Sequence, residues 1–138
     1  MPIDYHLNDR ETQAEEPDLS GSYTYADYLT WHLTDMVELI HGKVFKMSPA
    51  PRSVHQQVCG NLHGLIWNYL KRKKCQVFIA PFDVRLPHPQ KGISDKEITT
   101  VLQPDLCVVC DPAKIDEKGC VGTPRSEEHT SELQSPCN

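Results

Sequence analysis

VELIHGKVF, Val37–Phe45, is the stretch on which the fold reading turns. Two short apolar runs flank His41-Gly42. Gly adopts positive φ without steric cost and His tolerates it better than most residues, so the dipeptide suits a two-residue hairpin turn. The pattern predicts strands over Met36–Ile40 and Lys43–Met47, stopped by Pro49 and Pro51. Alternation sends Val37 and Leu39 to one face and Glu38 and Ile40 to the other. A solvated strand-face acid is the ordinary reading of Glu38. The alternative is a site residue, brought over the following helix by the hairpin.

Upstream, YTYADYLTW (Tyr23–Trp31) offers Thr24 as a cap for a short helix with Tyr25, Tyr28 and Leu29 on one side. Downstream, SVHQQVCGNLHGLIWNYLKRKK (Ser53–Lys74) is the longest periodic segment. It predicts a helix capped by Ser53, with Val58, Leu62, Leu65, Ile66 and Tyr69 on a core-facing stripe. Lys71–Lys74 would close its last turn, favourably for the helix dipole. CQVFIA and FDVRLP then read as strands joined through Pro81, PHPQKGISDKEITT as a polar connector, and VLQPDLCVVCDP as strand again, with Pro104 at a strand start or bulge. The order of helix, hairpin, long helix and further strands predicts an α+β domain with a mixed sheet.

The chain has 138 residues, enough for one modest core. Its formal charge of −5 is unevenly spread. Residues 1–20 hold six acids and Arg10, residues 125–138 hold Arg125 and three Glu, and residues 21–124 carry a slight positive excess. Residues 1–22 read as a disordered acidic tail, 23–124 as the folded part. A slightly basic domain permits a phosphate-bearing partner. The sequence shows neither an export signal nor an apolar run of membrane-spanning length, so the expectation is a cytoplasmic protein that does not enter a membrane. On that expectation the six Cys read as thiols or ligands rather than a disulfide framework.

Asp105 is the first candidate for chemistry. A carboxylate between Pro104 and the apolar run Leu106–Val109 should sit near the start of a buried strand. Ionised, it needs a metal, a cation or several donors there; a turn or cap Asp is the plainer reading. His55 falls in the first turn of the long helix, within the apolar stripe, where a hydrogen-bonded core His is the common case. Cys59 and His63 follow at steps of four and make an apparent metal row, although one helix rarely supplies a whole site. Cys107 and Cys110 have knuckle spacing, but the second Cys pair of a zinc site is absent and Val108-Val109 favours extended backbone. Arg52, Lys71, Arg72, Lys73 and Lys74, with Arg85 and Lys91, are candidate phosphate contacts; solvated helix ends are the plainer reading. Phosphate-binding GxxxxGK[ST], GxSxG and HExxH motifs are all missing.

Taken together, YTYADYLTW, VELIHGKVFKMSPAPRSVHQQV and TTVLQPDLCVVCDPAKIDEKGCVGTP resemble the Uma-type restriction endonucleases of the PD-(D/E)XK nuclease superfamily, over residues 22–124. The resemblance implies a core of a helix and a mixed sheet, with acids on adjacent strands holding a divalent cation, Mg²⁺ or Mn²⁺. Asp105 matches the first acid. Glu38 matches the hairpin Glu and would assist the metal, while His55 matches the helix-opening His and would orient a ligand or substrate. The implied reaction is hydrolysis of DNA phosphodiesters, and a homodimer suits an enzyme that cuts both strands. A non-catalytic nucleic-acid-binding module is the competing reading.

The sequence departs from the family pattern after Pro124, where a strand with the second acid and a Lys is expected. Arg125–Ser135, RSEEHTSELQS, is instead similar to a translated sequencing-library adapter. The expectation is therefore an endonuclease core incomplete at its C-terminus, followed by a non-native segment over 125–138, and inactive as written.

Overall fold

The structure is a computed structural model that describes residues 17–33, 35–47 and 52–124. Pro49, Pro51, the first sixteen residues of the expected tail and residues 125–138 lie outside the described residues. Residues 17–22 are placed against the hairpin, where the Lys43 ammonium donates to the carbonyls of Ser20 and Gly21 at 2.9 Å each.

Helix α1, Tyr25–Tyr28, is a single turn made possible by its cap. The Asp27 N–H donates to Thr24 Oγ1 while the Asp27 carboxylate accepts from the Thr24 N–H at 2.8 Å, a reciprocal capping box. The hairpin forms where the sequence places it. Strands β1, Val37–Ile40, and β2, Lys43–Lys46, are antiparallel with Ile40 opposite Lys43. His41 (φ 48°) and Gly42 (φ 80°) both take the left-handed conformation of a primed turn. Gly42 meets that φ without strain, and a Cβ there would also crowd Ser22 Oγ at 2.7 Å.

The remaining elements are α2 (Ser53–Leu70), β3 (Gln76–Ile79), β4 (Asp83–Arg85), β5 (Val101–Leu102), β6 (Leu106–Val109), a 3₁₀ turn (Pro112–Lys114), β7 (Ile115–Asp116) and β8 (Gly119–Val121). Six strands form one sheet in the order β2-β1-β5-β4-β8-β7. The β4–β8 pair is parallel and the other pairs antiparallel, so the sheet is mixed and the α+β reading holds. Strands β3 and β6 make a separate antiparallel ribbon.

Two apolar clusters anchor the fold. Tyr25 of α1, Val37, Leu39 and Val44 of the hairpin, and Ile98 and Val101 form one buried cluster, while Val84, Cys107, Val109 and Cys120 form the other. Ile98 lies in the connector expected to be polar, yet it is fully buried and its carbonyl accepts from the Tyr25 N–H at 2.8 Å. One apolar residue inside a polar run carries no periodicity, so pattern reading passes over it.

Three expectations for α2 are corrected. Ser53 is the first helical residue, and Arg52 occupies the cap position without a side-chain cap bond. Lys71–Lys74 lie beyond Leu70 rather than in the last turn. The predicted core stripe is largely exposed: Val58, Leu62, Leu65 and Tyr69 all face solvent. The helix packs on β3, and among the described residues no layer covers its other side. Periodicity identifies the apolar face but not what covers it.

The cysteines also depart from expectation. Cys75 and Cys110 are disulfide-bonded. Pairing of Gln76 with Val109 in the β3–β6 ladder sets the next residues outward, Cys75 and Cys110, opposite each other. That bond, together with the complete burial of Cys107, removes the Cys107/Cys110 zinc knuckle. No described helix is long and apolar enough to cross a membrane.

Candidate active site

His55 and Cys59 stand one turn apart on α2, so both project from the same face. Asp105 comes to this face from the other direction, as the residue immediately before β6. Its carbonyl accepts from the Ala80 N–H at 3.1 Å, which extends the β3–β6 ladder by one bond beyond the Ile79–Leu106 pair and fixes the backbone. The helix packs on β3, and β3 pairs with β6; these contacts bring residues fifty positions apart together.

His55 Nε2 lies 3.1 Å from Asp105 Oδ2. With Nε2 carrying the proton, the imidazole donates to the carboxylate, which fixes the ring's orientation and tautomer. Cys59 Sγ is 3.8 Å from each ring nitrogen of His55. A sulfur equidistant from both nitrogens lies off the lone-pair direction of either, so the thiol and imidazole are not aligned as a nucleophile and its base. One ligand atom from each of His55, Cys59 and Asp105 nevertheless falls within 4.8 Å of the others. Asp105 heads its strand as expected, but it is solvent-facing: the side chains of His55 and Asp105 are 42% and 58% exposed. His55 therefore does not face the core. Exposure removes the desolvation cost that the sequence context implied for Asp105.

Glu38 is half-buried and its carboxylate accepts from the Gln103 N–H at 2.8 Å. It belongs to a second polar cluster, which sequence reading missed. The Asp83 carboxylate accepts from Tyr25 Oη and Tyr28 Oη at 3.1 Å each and from Gln103 Nε2 at 2.9 Å. Burial, followed by the nearby Asp83 charge, raises both phenols well above the ordinary tyrosine range. The tyrosines were legible only as apolar faces of a short helix. Their hydroxyls find Asp83 through a contact spanning more than fifty residues, which leaves no local signal.

The cationic candidates are spread out. Arg52 and Lys71–Lys74 are exposed at opposite ends of the 18-residue α2, separated by about 27 Å of helix. Lys73 Nζ sits 3.1 Å from the Tyr69 ring centroid, and Lys71 Nζ 6.0 Å from that of Trp67. Lys91 is exposed in the connector. Arg85 leaves the phosphate-contact set: it is 2% exposed, pairs with Asp116 and lies 5.2 Å from the Tyr25 ring centroid. Asp116 is held below the ordinary carboxylate range; burial opposes this, but hydrogen bonds from Arg85 and the N–H groups of Lys118 and Gly119, with the Arg85 charge, prevail.

No curated protein matches the chain. Residues 25–130 match the model of the Uma2 family, described as "Putative restriction endonuclease". That span takes in the hairpin, α2 and every strand, together with Glu38, His55 and Asp105. Family and fold thus agree with the features built up from the residues, and the chain belongs to the Uma2 family.

Proposed function

We propose that this domain acts on DNA phosphodiesters, with Asp105 as the reactive carboxylate. The observation that carries the reading is the meeting of Asp105 and His55 at an exposed strand end, 3.1 Å apart, in a chain of this family. An exposed carboxylate at such a position is open to a cation, and through it to a phosphate, which a buried strand Asp is not. His55, oriented by Asp105, would accept a hydrogen bond from a water at the same edge through its other ring nitrogen. Arg52, three residues before His55, supplies positive charge nearby, and Lys71–Lys74 supply it at the far end of α2.

Glu38 enters the proposal as a positioning residue. Its bond to the Gln103 N–H fixes the backbone two residues before Asp105. The metal-ligand role implied for it by resemblance finds no support in the cluster around Asp105, whose other members are His55 and Cys59.

The family implies a divalent cation, with Mg²⁺ the first expectation. Mg²⁺ takes oxygen ligands in near-octahedral geometry. The described cluster offers one carboxylate beside an imidazole and a thiol, a set that does not fit Mg²⁺. With that donor set, the expected outcome for the 138-residue chain is slow Mg²⁺-supported cleavage or none. Rapid Mg²⁺-dependent cleavage lost in Asp105→Ala would overturn that expectation while supporting Asp105 as the reactive residue.

A non-catalytic nucleic-acid-binding module is the second reading. It is favoured by the exposed rings of Trp67 and Tyr69 beside Lys71–Lys74, since exposed aromatics next to cations are how unstacked bases are held. Fluorescence anisotropy with a labelled DNA duplex separates the two. The nuclease reading predicts affinity that rises roughly tenfold with a divalent cation and falls back with EDTA. Affinity indifferent to cation and chelator would favour the module.

A further inference from the structure

We propose that His55, Cys59 and Asp105 form a site for a borderline-soft divalent cation of the Zn²⁺ or Co²⁺ class, with Cys59 as its thiolate ligand. The ligand atoms of the three side chains already lie within 4.8 Å of one another. In a tetrahedral centre with bonds of about 2.0 Å to nitrogen and oxygen and about 2.3 Å to sulfur, neighbouring ligand atoms are about 3.3–3.6 Å apart. The observed separations of 3.1 Å from His55 Nε2 to Asp105 Oδ2 and 3.8 Å from Cys59 Sγ to His55 bracket that edge length. A cation entering here takes the place of the proton shared by His55 and Asp105 and displaces the thiol proton, so small side-chain rotations complete the geometry.

The donor chemistry selects the ion. Imidazole, thiolate and carboxylate together match zinc-class metals, whereas hard cations that want oxygen gain little from a sulfur ligand. Two ligands one turn apart on a helix and a third from a strand end form a fixed frame, because α2 and β6 are tied through β3. Three protein ligands, with His55 and Asp105 exposed and Cys59 set deeper, leave a further coordination position for water or a phosphate oxygen, the pattern of reactive rather than structural zinc. The other described cysteines do not compete: Cys75 and Cys110 are bonded to each other, and Cys107 and Cys120 are fully buried. The His55-Cys59-His63 row of the sequence is thus replaced by one in which Asp105 stands in the position of His63.

This site shares His55 and Asp105 with the nuclease reading but stands without it, so the test uses no DNA. The full chain, with its disulfide intact and no added thiol, is titrated with Co²⁺. The expected result is stoichiometric binding with visible tetrahedral bands and a near-ultraviolet thiolate charge-transfer band, both removed by Zn²⁺. Cys59→Ser should lose the charge-transfer band, and His55→Ala and Asp105→Asn should each weaken binding by roughly tenfold or more. A second readout needs no variant: Zn²⁺ should slow alkylation of Cys59 by iodoacetamide by roughly tenfold, with EDTA restoring the rate and Mg²⁺ leaving it unchanged. An unchanged alkylation rate with Zn²⁺, or a Co²⁺ spectrum that survives Cys59→Ser, would overturn the site.

Discussion

Asp83 and Asp105 both stand at the heads of short strands, each preceded by an apolar or Pro residue and followed by an apolar one, yet the fold uses them in opposite ways. Asp83 is saturated, with Tyr25, Tyr28 and Gln103 all donating to it. Asp105 is exposed and shares its carboxylate with His55. The contrast extends to their surroundings. Asp83 lies beside the fully buried Tyr25 and Val84, in the well-packed part of the molecule, whereas Asp105 lies beneath a helix whose apolar stripe faces solvent. A carboxylate surrounded by donors holds structure together, while one left open can act on something else.

The largest effects should fall on the packed region. Leu39→Ala, at a fully buried position, is expected to cost about 3 kcal/mol, whereas Leu62→Ala on the exposed stripe of α2 should cost less than about 1 kcal/mol. Urea denaturation of both variants checks this. Equal losses would mean that the stripe is covered in solution and that the two regions do not differ.

Asp83→Ala comes next. It leaves two phenols and an amide without their acceptor, and about 2 kcal/mol of destabilisation is expected by the same measurement. The same network predicts how tyrosine titrates. Tyr25 and Tyr28 have folded pKa values raised above the unfolded value of about 10, so the stability they confer is full below that pH and is lost as pH rises beyond it. Phenolate absorbance from these two should therefore appear together with alkaline unfolding. Tyr69, whose hydroxyl is lowered by hydrogen bonding and charge from Lys73, should ionise before them.

A smaller effect is expected in acid. The Asp116 carboxyl is depressed in the folded state, so its contribution is full above the unfolded value of about 3.9 and is lost as pH falls through the lower folded value. Protonation leaves the buried Arg85 guanidinium without its counter-charge. Asp116→Asn should flatten the acid limb of a plot of stability against pH, and an unchanged limb would remove that pair from the account. The smallest stability effect should come from Asp105→Ala, within about 0.5 kcal/mol of the parent, because the side chain is exposed.

How much of this was legible depends on how local the cause is. The Thr24 cap and the His41-Gly42 turn are decided by neighbouring residues, and the sequence places both correctly. Asp105 at a strand head is equally local. Its exposure is not, because that depends on how α2 lies over the β3–β6 ribbon. The Cys75–Cys110 bond follows from strand register, which spacing alone does not reveal. The spacing of Cys59 from His55 and His63 is visible in the sequence, but its meeting with Asp105 depends on the helix, β3 and β6 being in place. The role of Asp83 was hidden for the same reason, since all of its donors are remote in sequence.

The contrast between the two aspartates is tested most directly by DNA affinity, measured with and without a divalent cation, for Asp105→Asn and Asp83→Asn at temperatures where both are folded. Asp105→Asn should abolish the cation-dependent gain in affinity at unchanged stability, while Asp83→Asn should lower stability and keep the gain. A cation-dependent gain that survives Asp105→Asn, or one lost only with Asp83→Asn, would contradict it.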